Sequence, residues 1–144
     1  MLNPQTYYII LLLVSVYAFV RGRSDERIAA ATCIVATIAT NLVYDYREGF
    51  AGVEMGVLLV DVATFTAFTF LALRTDRFWP LWIAGLQLTT VIAHALKAVR
   101  LDLMPQAYAA AARFWVYPIF VIIVIGTWRS HRRRLERRRQ AALA

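Results

Sequence analysis

Five apolar stretches, each long enough to cross a bilayer, follow one another with only short polar connections between them. A spanning helix needs about 20 mainly apolar residues. Stretches of that kind fall at residues 4–20, 25–45, 52–73, 77–99 and 106–128. Hydrophobic residues make up 60% of the 144-residue chain, against roughly half in soluble domains. The stretches are too long for strands and do not alternate, which excludes a β reading. The predicted fold is all-α: an integral membrane bundle of five transmembrane helices, followed by a polar tail at residues 129–144. Short connections predict that sequential helices pack antiparallel.

Local signals place the helix ends. Asn3 is a predicted N-cap, with Pro4 at the first helical position. Ser24 and Asp76 are the predicted caps of the second and fourth helices, and Pro80 is tolerated in a first turn. Pro105 leads into the fifth. Pro118 is expected to kink that helix, because it removes a backbone donor and crowds the preceding turn.

Basic residues fix an orientation. With the N-terminus outside and the C-terminus in the cytoplasm, twelve Lys and Arg residues lie inside and four outside. That asymmetry matches the positive-inside rule. Without the tail the split is five to four in the same direction. The first residues carry no Lys or Arg, and Arg21 and Arg23 follow the first apolar stretch, so an uncleaved first helix is expected. Tyr7, Tyr8, Tyr44, Tyr46, Tyr108, Phe114 and Trp115 fall toward the outer boundary. Phe78, Trp79, Trp82 and Trp128 fall toward the inner one, as interfacial belts should. Alanine and arginine usage suggests a bacterial gene, and hence the inner (cytoplasmic) membrane.

Within the spans, polar residues gather in the outer half. Asp61 sits in the middle of the third apolar stretch, where a carboxylate costs a few kcal/mol or more unless paired. Glu54, seven positions earlier, shares its helical face. Gln87 and His94, also seven apart, share a face of the fourth helix. Helix rise puts Asp61 about 12 Å and His94 about 6 Å below the outer surface. Asn41, Asp45, Lys97 and Arg113 are expected at similar depth or just above. The inner half reads as nearly bare of ionisable groups. Asp61 is expected to pair with Arg113, Lys97 or His94.

Such a cluster supports several chemistries. Near-balance of acids and bases suits an internal ion-pair network that holds helices in register. A carboxylate–imidazole pair also suits a proton or ion relay. Glu54, Asp61 and His94 could offer oxygen and nitrogen ligands to a transition metal. No HExxH or ExxH motif accompanies them, and His131 belongs to the other side. No metal or other cofactor is predicted. Small residues at Gly52 and Gly56, and at Ala63 and Ala67, offer faces for close helix approach. No glycine-rich phosphate loop and no serine–histidine arrangement supports catalysis. Cys33, the single cysteine, reads as a small buried hydrophobe.

The tail is a block of arginines: Arg129, Arg132, Arg133, Arg134, Arg137, Arg138 and Arg139. Juxtamembrane arginines attract anionic lipid by about 1 kcal/mol each. Aromatics for base stacking are not interleaved with them, so nucleic acid is not an expected partner. The tail is expected to continue the fifth helix and fray toward Ala144. Together these features predict a non-catalytic subunit or accessory factor that binds a membrane partner, a second copy or lipid. A proton- or ion-coupled transporter using Asp61 and His94 is the alternative, and a metal-assisted membrane enzyme the third.

Overall fold

The computed structural model describes residues 4–43, 55–99 and 114–143. Those residues form five helices: α1 (Pro4–Arg21), α2 (Ser24–Val43), α3 (Met55–Arg74), α4 (Trp79–Val99) and α5 (Val116–Leu143). Each helix packs on its neighbour in sequence wherever the connection is described, and α5 packs on both α4 and α1. The five therefore close into a ring, with α5 also touching α2 across it.

The chain reverses at each described connection. The C-terminal end of α1, the N-terminal ends of α2 and α4 and the C-terminal end of α3 all meet near the middle of α5. At the opposite end, Tyr8 of α1 donates to Asn41 of α2 at 3.2 Å, and Gly56 of α3 lies against Val43 of α2.

The α1–α2 turn is tight. Gly22 N–H still donates to the Ala18 carbonyl at 2.8 Å. A Cβ on Gly22 would overlap that carbonyl oxygen and crowd the Cβ of Glu26. Ser24 is not the N-cap of α2, as expected, but its first residue. Arg27 N–H donates to Arg23 C=O at 3.0 Å, and Glu26 Oε2 accepts from Arg23 N–H at 2.8 Å. Arg23 is thus the cap, and Glu26 is the third-position carboxylate of a capping box. The fourth helix likewise starts later than residue 77. Arg77 lies in the α3–α4 connection, drawn to carboxylates of α2, and Pro80 is the second residue of α4.

Pro118 is the third residue of α5. Phe114 ahead of it is helical and Trp115 is a turn, so the helical path is interrupted one turn before the missing Pro118 N–H, where a proline kink is expected. Residues 100–113, with the predicted entry at Pro105, lie outside the described residues. Beyond Trp128 the helix continues without a break to Leu143.

Phe68, Ile83 and Ile123 form the centre of the core, sealed by Ala18, Ala29 and Ala30 where helices approach closely. The exterior is apolar too. Leu12, Leu13, Leu42, Leu59, Phe70 and Leu73 all face outward and are exposed. A greasy surface round a packed interior is what a lipid solvent selects. Threonine hydroxyls follow the same logic. Thr32, Thr64, Thr66 and Thr127 each donate to a carbonyl one turn back in their own helix. Among the described residues, three helices, α2, α3 and α4, are long and apolar enough to cross a membrane. The apolar part of α1, Gln5–Arg21, is shorter.

Candidate functional site

Among the described residues, two polar clusters interrupt the apolar interior, one toward each end of the bundle. The first joins α3 to α4. Gln87 Nε2 donates to Asp61 Oδ1 at 2.9 Å, and His94 Nε2 lies 3.2 Å from Asp61 Oδ2. Asp61 therefore has a partner for each carboxylate oxygen. Gln87 and His94 reach it together because seven residues make about two helical turns. His94 is one of the three partners expected for Asp61; Gln87, expected only to share a helix face with His94, is the second partner. The side chains of Asp61 and His94 are 16% and 11% exposed.

Asn41 does not join this group. Its amide oxygen accepts from Tyr8, which ties α1 to α2. Beside it, Thr37 donates to the Cys33 carbonyl, so its oxygen is left to accept from Tyr7 at 2.6 Å. Asp45, Glu54, Arg113 and the side chain of Lys97 lie outside the described residues. Among the described residues, no group of three or more His, Cys, Asp or Glu side chains could hold a metal ion.

The second cluster lies at the end of the bundle that holds the α1–α2 and α3–α4 turns, an end expected to be nearly bare of ionisable groups; Asp25, Glu26 and Arg77 gather there instead. Glu26 has no solvent exposure at all. Its Oε1 accepts from Arg77 Nη1 at 2.7 Å and from the Ser130 hydroxyl at 2.6 Å. Arg77 Nη1 also donates to Ser130 Oγ. With Arg23 N–H on Oε2, both oxygens of the buried carboxylate are satisfied. Asp25 sits at the edge, 3.5 Å from Arg77 Nε, and accepts from Thr75 at 3.0 Å. Arg21 donates to His131 Nε2 at 2.8 Å, fastening the end of α1 to α5.

Above this network opens a cavity of about 280 Å³. Arg23, Arg77, Ser130, Arg133, Arg134 and Arg137 line it. Ser130, Arg133, Arg134 and Arg137 follow helical spacing and share one face of α5. Arg23 and Arg77 come from the α1–α2 and α3–α4 turns. The tail arginines thus divide. Arg132 turns away to pair with Glu136 at 3.2 Å and to lie over the Trp128 ring, and Arg129, Arg138 and Arg139 are exposed outside the cavity wall.

No family model, curated protein or solved structure matches the chain. Its chemistry must be read from these two clusters. The Asp61 cluster is an interhelical junction. The Glu26 cluster is a basic pocket set on a buried ion pair.

Arg23, Glu26, Arg77 and Ser130 are not legible as a unit in the sequence, because Arg77 and Ser130 lie 51 and 104 residues from Glu26. One signal was present: Glu26 stands three residues past a helix cap, where a carboxylate turns back toward the turn.

Proposed function

We propose that the protein is a non-catalytic component of the bacterial cytoplasmic membrane that binds anionic lipid at its inner face. In this reading all five helices span, with the N-terminus outside and the C-terminus in the cytoplasm. The positive-inside asymmetry supports that orientation. The observation that carries the functional reading is the convergence of Arg23, Arg77, Arg133, Arg134 and Arg137 on one cavity. Basic pockets between helices on the cytoplasmic side suit anionic head groups. The protein would act as an accessory factor, joining a lipid environment to a membrane partner or a second copy.

Reconstitution tests this directly. The bundle is expected to unfold at a higher temperature in bilayers containing anionic lipid than in purely zwitterionic ones, because a ligand of the folded state stabilises it. Equal midpoints in the two bilayers would sink the proposal.

The contact between Asp61 and His94 favours a second reading, an ion- or proton-coupled transporter, since such pairs serve as relays within membranes. Asp61→Asn would then abolish flux in proteoliposomes. Flux unchanged by that substitution excludes the relay.

A further inference from the structure

We propose that the inner cavity is a discrete site for a lipid head group bearing two phosphates, one molecule per chain. The inference rests on the reading of the inner face as an anionic-lipid surface, and it adds a specific ligand class and stoichiometry.

Charge sets the ligand class. Of the five arginines on the cavity wall, Arg77 is compensated by Glu26 and Asp25. The side chains of Arg23, Arg133, Arg134 and Arg137 have no carboxylate partner among the described residues. Four uncompensated guanidinium groups round one small space call for more than one negative charge. Guanidinium forks match phosphate oxygens in pairs, which gives geometry as well as attraction.

The floor is organised in advance. Glu26 holds Arg77 and Ser130 in place from a position without solvent exposure. Neither has to be ordered when a ligand arrives, which lowers the cost of binding. Size limits what enters. Pockets for whole drug-sized molecules run from about 300 Å³ upward. A cavity of about 280 Å³, open on one side, has room for a head group.

Surroundings identify the source as lipid. Val20, Leu73, Phe78, Trp82 and Trp128, all at the inner ends of their apolar segments, are exposed. A head group held in the cavity would keep its acyl chains on the bilayer side, beside this apolar surface.

Native mass spectrometry of the protein released from nanodiscs tests the site. The discs contain zwitterionic lipid with either a two-phosphate lipid or a one-phosphate anionic lipid, at equal total head-group charge. One retained two-phosphate lipid per chain is expected, with the one-phosphate lipid retained at least about tenfold less. R133Q/R137Q should lower retention about tenfold, a loss of about 1.4 kcal/mol. R138Q/R139Q removes the same charge outside the cavity and should change retention less than twofold. Both double variants leave the bundle untouched, since all four side chains are exposed.

Equal loss in the two variants would mean diffuse attraction: the site fails and inner-face lipid binding stands. Retention of neither lipid would defeat both. Displacement of the lipid by inorganic pyrophosphate at low concentration would reassign the cavity to a soluble ligand and overturn the lipid proposal.

Discussion

Gln87 donates a hydrogen bond to Asp61 from the neighbouring helix, 2.9 Å from the carboxylate oxygen. An amide on one span therefore meets a carboxylate on the next at a depth where water is scarce. Polar contacts of this type contribute about 0.6 kcal/mol on average between membrane helices, with a maximum near 2.

Asp61→Ala is expected to destabilise the bundle by about 1–2 kcal/mol, and Gln87→Ala by less. In a double-mutant cycle the two should couple by about 0.5 kcal/mol or more. Unfolding by denaturing detergent in mixed micelles measures this. Strict additivity would show that the contact has no energetic weight.

Glu26→Ala should cost more, about 2–3 kcal/mol, because it empties a buried site and leaves Ser130 and Arg77 without their shared acceptor, Arg77 keeping only Asp25 at the cavity edge. Replacing both partners by apolar residues, Glu26→Leu with Arg77→Met, should recover much of that loss. The same denaturing-detergent titration reads both. A double variant no better than Glu26→Ala would contradict a buried ion pair.

Gly22→Ala is expected to destabilise by about 1–3 kcal/mol through overpacking at the α1–α2 turn. A thermal midpoint equal to that of the parent would show that the turn has room to shift.

Orientation can be tested with thiol chemistry in a background carrying Cys33→Ala. A membrane-impermeant maleimide should label Glu48→Cys in intact cells, and Arg139→Cys only after permeabilisation. The reverse pattern would invert the topology; labelling of both from outside would refute an odd number of spans.

Much of the helical architecture was legible because apolar run length and short connections leave few alternatives. Asp61 announced itself by cost: a carboxylate in an apolar stretch must find partners. Gln87 and His94 could be placed on one face by spacing alone. Glu26 was hidden for the opposite reason. At the third position of a helix it looks like an ordinary exposed first-turn acid. Only the approach of the α3–α4 turn and of α5 buries it, and its bonds to Arg77 and Ser130 cross 51 and 104 residues of sequence. The cavity was illegible in the same way. A run of tail arginines reads as one charged block until helical phase sends Arg133, Arg134 and Arg137 to one side and Arg132 to another.

The bond from Ser130 to Glu26 also has a place in time. The chain is made from its N-terminus, so Glu26 enters the membrane boundary long before the last helix exists. Arg77 arrives with the α3–α4 turn, but the pocket around the carboxylate stays open on the α5 side until synthesis is nearly finished. Until then the half-built ring carries a charged seam at the end where its turns gather. Docking of α5 covers that seam, so a chain that stops short of Ser130 leaves the Glu26 carboxylate without its last hydrogen-bond donor.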